Sequence, residues 1–150
     1  MFPSSLQRVP LHTDEHVNRR IAWEIDRSIE HHAAHPEDIP GRLRELAAEW
    51  DVERVLEANA SALVLVGLAL GASVDRRWAA LSAGVAAFLF QHAVQGWCPP
   101  LPVLRRLGFR TMHEIDRERT ALRILRGDLA ALDPARREAA VKAFSRGAPP

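Results

Sequence analysis

The amino-acid sequence predicts an all-α protein, a two-helix transmembrane hairpin flanked by amphipathic cytoplasmic helices. Three observations predict this class. Two long apolar runs without a formal charge follow one another, with only three charged residues between them. The segments before and after these runs carry opposite net charge. Both segments also place apolar residues at the three- and four-residue spacing that is typical of helices.

The distribution of charge divides the 150 residues into three parts. Residues 1–57 hold seven arginines and twelve carboxylates, whereas residues 97–150 hold eleven basic and six acidic residues. Between them, only Asp75, Arg76 and Arg77 are charged. We therefore expect an N-terminal cytoplasmic helical arm (1–53), a hairpin with its exit segment (54–112) and a C-terminal cytoplasmic helical arm (113–150). The arms attract each other only at short range, because salt screens exposed charges beyond about 8–10 Å.

The N-terminal arm contains two predicted helices. Thr13 is the expected cap of the first, which runs to about His35, because Pro36 follows. Its apolar stripe consists of Val17, Ile21, Ile25 and Ile29. Asp38 is the expected cap of the second helix, with Pro40 just inside its start. The apolar positions of this second helix are Leu43, Leu46, Ala47 and Trp50.

The apolar runs cover residues 58–74 and 78–97, which are 17 and 20 residues long. As helices they span roughly 26 and 30 Å, against about 30 Å for a bilayer core. Trp78 and Trp97 stand at the two ends of the second run, as in the aromatic belts of membrane proteins. The alternative is a hairpin buried in a soluble bundle. The membrane hairpin is favoured, because both runs are apolar on all sides, whereas a soluble surface helix keeps a polar face.

Arginines near the apolar runs predict the orientation of the hairpin. Six lie in the outer flanks and two in the turn, which predicts that both termini are in the cytoplasm and the turn is outside. The six are Arg42, Arg44, Arg54, Arg105, Arg106 and Arg110. Rather than nucleic-acid contacts, we expect a solvated C-terminal helix or, for the last three arginines, contact with anionic lipid, because acidic residues are interleaved with the arginines that follow. No signal-peptide core is expected in the first ten residues.

Small residues predict how the hairpin helices pack. Gly67 and Gly71 form a groove on the first helix, and Ala80 and Gly84 form one on the second. Such spacing lets helix backbones approach closely. A two-helix hairpin buries little surface by itself. We therefore expect a homodimer or a larger membrane assembly, or docking on another membrane protein.

The C-terminal arm begins with a break. Three prolines within residues 98–102 prevent the preceding helix from continuing. Thr111 and Glu114 form a capping-box pattern, which predicts a helix to about Arg126, ended by Gly127. Its apolar line is Ile115, Leu122 and Leu125. A last short helix is expected over residues 133–144.

Cys98 is the only thiol, so no disulfide forms within the chain. One interpretation is a reactive thiol, because Arg105 and Arg106 follow and nearby cations lower a thiol pKa. The favoured interpretation is a small buried residue. The apolar run also ends with Gln91, His92 and Gln95, intramembrane polar residues that either line a solute path or, as favoured, hydrogen-bond across a dimer or reach the membrane interface.

No residue pattern predicts catalysis, a cofactor or a metal site. The phosphate-loop motif is absent. Five histidines lie in the N-terminal arm with spacings that suit a metal, but no third ligand is specified by the sequence. They are therefore expected to be solvated rather than ligating. They are His12, His16, His31, His32 and His35.

Residues 96–111 resemble the signature of the YgaP-like transmembrane domain family (DUF2892), small bacterial membrane domains with two apolar helices followed by Gly-x-Cys-Pro, then Gly and Thr. The matching positions are Gly96, Cys98, Pro99, Gly108 and Thr111. The resemblance covers about residues 54–112 and implies an inner-membrane hairpin that forms a homodimer. Some members carry a rhodanese domain, but residues 1–57 contain no cysteine for one.

The function predicted from these features is that of a non-enzymatic accessory or scaffolding subunit. It contacts membrane lipid and self-associates or binds another, unidentified membrane protein. Two alternatives stay open: a sulfur or redox carrier or small-solute pathway that uses Cys98, and a soluble all-α interaction module with a buried hairpin.

Overall fold

The protein is helical throughout the part of the chain that its computed structural model describes, which is residue 4 and residues 6–128. Six α-helices, and no strand, are present in these residues, which confirms the predicted all-α class. The helix predicted over residues 133–144 lies outside them. The six helices are α1 (Glu15–Ala34), α2 (Ile39–Ala48), α3 (Val52–Ser73), α4 (Ala79–Gln95), α5 (Leu101–Arg106) and α6 (Met112–Arg126).

Helix α1 starts one residue later than predicted. Asp14 is its cap and accepts a hydrogen bond from the His16 backbone N–H at 2.8 Å. Thr13 is not the cap, because its hydroxyl donates to the Val9 carbonyl at 2.8 Å and so serves the preceding turn. The predicted apolar stripe is confirmed, and it forms one buried cluster. Its members are Val17, Ile21 and Ile25, with Ile29 packed against them.

Helix α2 keeps only part of its predicted apolar face. Leu46 is fully buried and Leu43 packs beside it. Ala47 and Trp50, in contrast, are exposed, so the prediction is wrong for both. The helix ends at Ala48, and Trp50 therefore lies beyond it, with the Arg54 guanidinium 4.3 Å from its ring centroid.

The two hairpin helices reverse the predicted order of length. Helix α3 has 22 residues and α4 has 17, which correspond to roughly 33 and 26 Å. Helix α3 is longer than its apolar run because Asp51 caps it and accepts from the Arg54 backbone N–H at 2.7 Å. Helix α4 is shorter because Gly96 adopts a left-handed conformation, with φ of 79°, and ends it.

Glycines bring α3 and α4 together. A Cβ added at Gly67 would lie 2.4 Å from Ser82 Oγ, and one at Gly71 would lie 3.2 Å from the Ala79 nitrogen. Ser82 also donates its hydroxyl hydrogen to the Val64 carbonyl at 2.9 Å. The groove at Gly67 and Gly71 therefore forms the contact within the hairpin.

The small residues of α4 lie on a different face. Ala80 and Gly84 are exposed, and a Cβ added at Gly84 would meet no atom within 4 Å. Their groove therefore lies outside the contact between α3 and α4.

The other four described helices, α1, α2, α5 and α6, form what we call the base of the molecule. Helix α6 packs against both α1 and α2, and α5 packs against the start of α3. The predicted capping box at Thr111 and Glu114 is present. Ile115 and Leu122 are buried as predicted, whereas Leu125 is 44% exposed, which contradicts the prediction for that residue.

Helix α5 is a short helix that was not predicted, because the prolines around it read as a break. Pro102 lies in its first turn, where the missing N–H costs nothing. Gly96 ends α4 and the prolines follow it, so the predicted break is present between Gln95 and Leu101.

The outer surface of the hairpin is apolar and uncovered within the described residues. The segment Pro36–Ser73, which includes α2 and α3, contains an 18-residue window of mean hydropathy 1.8, of which only 17% is buried. That window is long and apolar enough to cross a membrane. Large exposed side chains on the hairpin are Leu63, Leu65, Val66, Leu68, Val74, Trp78, Phe88 and Phe90.

Candidate functional site

The N-terminal segment crosses the end of α4. Arg8 Nη1 donates to the Ala93 carbonyl at 3.1 Å, and His12 Nε2 donates to the Gln95 carbonyl at 3.0 Å. The last carbonyls of a helix have no partner within it and carry partial negative charge, so basic side chains stabilise this end. We call residues 6–13 the strap and the base-side ends of α3 and α4 the mouth of the hairpin. The strap thus closes the mouth on one side.

Gly96 lies against the backbone of the strap at Arg8. It is buried, and a Cβ at this position would lie 2.6 Å from the Arg8 carbonyl oxygen. Its φ of 79° also disfavours any residue with a side chain. Both the helix end and the path of the strap therefore require glycine here.

Cys98 lies in the core beneath the strap. It is 4% exposed and packs in a cluster with Val9, Val52, Leu56 and Leu101. Burial raises the pKa of the Cys98 thiol. The expectation that following arginines lower this pKa is therefore wrong, and the surroundings are those of a small buried residue.

The remaining motif residues have local backbone roles. Gly108 has a φ of 96°, a conformation that favours glycine, and Thr111 Oγ1 accepts from the Glu114 backbone N–H at 3.2 Å. Pro99 is exposed between α4 and α5. The signature therefore shapes the path of the chain after α4.

His92 is the most unusual polar residue of the mouth. It is 5% exposed, and neither ring nitrogen has a hydrogen-bond partner. Nearly all buried polar groups in proteins are hydrogen-bonded, so two such nitrogens in one ring make His92 a candidate ligand-binding residue. The structure separates His92 from the other two polar residues of this run, because Gln91 is half-buried and Gln95 is exposed.

A cavity of about 420 Å³ lies in front of His92, and we call it the polar cavity because charged residues line part of it. Two further buried atoms beside it, Arg8 Nε and Glu53 Oε2, have no hydrogen-bond partner. The residues that line the cavity therefore carry both charge signs. Its lining consists of Arg8, Glu53, Glu57, Ser61, Leu89, His92 and Ala93.

A second, apolar cavity of about 290 Å³ also has His92 in its wall. Cys98 and Leu104 line it at the base. Phe88 and Leu63 line it along the hairpin, where it opens between α3 and α4. His92 is thus shared by a polar and an apolar cavity.

Arg105 stabilises the base through buried hydrogen bonds that join α5 to α1, α6 and the strap. It is fully buried and donates hydrogen bonds to Glu114 at 2.6 and 2.8 Å, to Asn18 Oδ1 at 3.1 Å and to Thr13 Oγ1 at 3.2 Å. The expectation that Arg105 and Arg110 contact lipid is wrong, because both are buried in ion pairs. Of the three arginines assigned to lipid, Arg106 alone is exposed.

Glu118 is a buried carboxylate at the centre of a second network. It accepts hydrogen bonds from Arg42 Nε at 2.8 Å, from Ser28 Oγ at 2.6 Å and from Arg110. Burial by itself raises the pKa of Glu118, but these hydrogen bonds outweigh it and lower the pKa to about 2. All partners are satisfied, so this network holds α1, α2 and α6 together rather than forming a reactive site.

The histidines of the N-terminal arm do not form a metal site in the described part of the chain. No group of three or more histidine, cysteine, aspartate or glutamate side chains there has the geometry to hold an ion. His31 instead stacks on His35, with ring centroids 4.6 Å apart, and meets His32 edge-on at 5.1 Å.

No family model matches the chain, and neither the curated proteins nor the solved structures compared with it include a match. The resemblance to the YgaP-like transmembrane domain family therefore stays a prediction. Sequence reasoning singled out His92 but missed Arg8 and Glu53, which face the same cavity. No sequence pattern relates these three residues, because 84 positions separate Arg8 from His92.

Proposed function

We propose that this chain is a small membrane-embedded hairpin protein of the bacterial inner membrane, with both termini in the cytoplasm and a role as an accessory or scaffolding subunit. The observation that carries the proposal is the uncovered apolar exterior of α3 and α4. Leu65 and Phe90, for example, are 67% and 72% exposed. Burying such surface in lipid is favourable by about 25 cal/mol per Å².

The same observation weighs against a soluble module whose own helices bury the hairpin. Only 17% of the most apolar window of Pro36–Ser73 is buried. The described helices of the base contact α3 mainly near its start, at Val52, Val55 and Leu56. The rest of the hairpin therefore needs another cover, and lipid fits its length and composition.

Exposed apolar side chains also surround the mouth. Val103 and Leu107 on and beside α5 are 59% and 70% exposed, and Trp97 is 36% exposed. Residues of this kind favour the boundary between headgroups and acyl chains. The base would then sit on the cytoplasmic surface, with α5 at the level of the headgroups.

Self-association through α4 is the second part of the proposal. Ala80, Gly84, Ala87 and Gln91 follow the helical spacing i, i+4, i+7 and i+11 and so share one face. The first three are exposed. Small residues allow close helix contact in lipid, and a glutamine amide on the same face supplies hydrogen bonds across the contact. This face is the proposed surface for a second copy or another membrane protein.

A sulfur- or redox-carrier function through Cys98 has less support. The thiol is buried and its pKa is raised, whereas a reactive cysteine needs access and a lowered pKa.

Fractionation of cells that produce the untagged chain tests the proposal. The protein is expected to stay in membranes washed with carbonate and to leave them only with detergent. A monodisperse protein in the soluble fraction without detergent would refute the membrane hairpin.

A further inference from the structure

The polar cavity at the mouth of the hairpin combines features that a structural role does not explain. Three of its side chains, Arg8, Glu53 and His92, carry buried polar atoms without a partner. His92 is more than nine-tenths buried and leaves both ring nitrogens free. The networks around Arg105 and Glu118 satisfy their buried charges. Of the five unpartnered buried side-chain atoms in the described residues, four belong to these three side chains, and the fifth, Arg20 Nε, lies on α1.

The charges of this cavity specify the kind of ligand. Arg8 keeps a free Nε–H although its Nη1 is bound to Ala93, and Glu53 keeps a free carboxylate oxygen. Arg8 and Glu53, which have opposite charges, thus line one cavity, and these two atoms do not bind each other. A ligand that carries both signs complements this lining, with its anionic end at Arg8 and its cationic end at Glu53.

The residues that line the cavity restrict the chemical class of the ligand further. Glu53 and Glu57 are hydrogen-bond acceptors, which suit an ammonium group that still carries N–H bonds. No tryptophan, tyrosine or phenylalanine is among the residues that line the cavity, so the aromatic cage that recognises quaternary ammonium groups is missing there. Arginine pairs well with phosphate, and His92 can donate to the same group.

We propose that this cavity binds the phosphoethanolamine group, with its phosphate at Arg8 and His92 and its ammonium at Glu53 and Glu57. The group has two sources, a free soluble molecule and the headgroup of a phospholipid. The lipid source rests on the proposed membrane hairpin, whereas the soluble source does not. The apolar cavity that shares His92 and Leu89 gives an acyl chain a neighbouring surface.

The first experiment titrates the full chain in mild detergent with O-phosphoethanolamine and, as the matched ligand, phosphocholine. Binding is measured by calorimetry and by the ¹⁵N signals of the histidine rings, with His92 assigned from a His92→Gln variant. We expect phosphoethanolamine to bind and to shift the His92 signals, and phosphocholine to do neither. Glu53→Gln should weaken binding about tenfold, because it removes a charge-assisted hydrogen bond. Glu30→Gln, on the exposed face of α1, should leave binding unchanged.

The second experiment separates the two sources. The chain is placed in nanodiscs that contain either phosphatidylethanolamine or phosphatidylcholine, and the His92 ring signals are compared. A shift only with phosphatidylethanolamine, without binding of the free compound, assigns the lipid headgroup. Binding of the free compound assigns a soluble ligand.

Two results would overturn the inference. One is equal binding of phosphoethanolamine and phosphocholine, and the other is no response to either compound and no difference between the nanodiscs. The cavity would then hold only water. Because the detergent titration does not depend on membrane insertion, it still decides the soluble source if fractionation refutes the hairpin.

Discussion

Arg110 grips Glu49 through two hydrogen bonds, from Nε to Oε1 at 2.7 Å and from Nη2 to Oε2 at 2.5 Å. The pair joins the basic C-terminal arm to the acidic N-terminal arm across 61 positions of sequence. Arg117 and Asp26 make a second such link at 2.6 Å. The opposite charges of the arms therefore meet in direct ion pairs.

Removal of the buried charge at Glu118 should destabilise the base. Glu118→Gln leaves Arg42 and Arg110 without their shared carboxylate, which costs on the order of 3 kcal/mol for a buried pair. Thermal unfolding of the purified chain in mild detergent measures the effect. Glu30→Gln is the control, because Glu30 is exposed. Equal midpoints for the two variants would contradict the role assigned to Glu118.

The base should also lose stability in acid. The pKa of Glu118 is lowered to about 2 from its ordinary value of 4.5. A carboxylate with a lowered folded-state pKa stabilises the fold fully above its unfolded-state pKa, and this contribution disappears as the pH falls towards the folded-state value. The pKa of Glu114 is lowered as well, because hydrogen bonds from Arg105 and Thr111 outweigh its burial. Unfolding midpoints should therefore fall between about pH 4.5 and pH 2. The fall should be shallower in Glu118→Gln, and an identical slope would be inconsistent with this assignment.

Substitution by leucine should have different effects at two glycines of the hairpin, Gly67 and Gly84. Gly67→Leu forces α3 and α4 apart, because a Cβ at Gly67 already meets Ser82 at 2.4 Å. A Cβ at Gly84 meets no atom of the described residues within 4 Å, so Gly84→Leu should preserve the fold and weaken self-association. Circular dichroism in detergent and crosslinking in membranes measure these two effects. A Gly84→Leu variant that crosslinks like the unaltered chain would exclude this face as the contact.

Introducing a charge on the exterior of the hairpin tests whether this surface faces lipid. Leu65→Arg places a cation near the middle of α3, which costs about 2.5–3.5 kcal/mol in membrane insertion. The variant should appear in the carbonate-extracted or degraded fraction. Trp23→Arg is the matched control, because Trp23 is 58% exposed on α1, away from the hairpin. If Leu65→Arg instead fractionates like the control, the surface around Leu65 does not face lipid.

Cysteine labelling can determine on which side of the membrane the N-terminus and the turn lie. In a Cys98→Ser background, Asp75→Cys should react with an impermeant maleimide on intact spheroplasts, because the turn lies outside. Ser4→Cys should react only after lysis. Cys98 itself should label slowly in the native protein and rapidly after unfolding, because it is 4% exposed. The reverse pattern for the two introduced cysteines would invert the proposed topology.

Local patterns in the sequence determined the helices. The apolar stripe at Val17, Ile21 and Ile25, the capping box at Thr111 and the stop at Gly127 all depend on residues within a few positions of each other. Helix hydrogen bonds and caps span three or four residues, so such spacing records them directly. The apolar runs, likewise, predicted the hairpin helices, although their lengths changed because Asp51 extended α3 and Gly96 shortened α4.

Only the tertiary structure decided what surrounds each side chain. Arg105 follows a proline-rich break and looked like a lipid contact, yet packing buries it against Glu114 and Asn18. The strap reaches α4 across 85 positions, from Arg8 to Ala93, and so creates the polar cavity. Burial and the pairing of charges depend on contacts between distant segments. No short-range pattern encodes such contacts, so the sequence identified His92 as a polar residue in an apolar run but could not show which groups it faces.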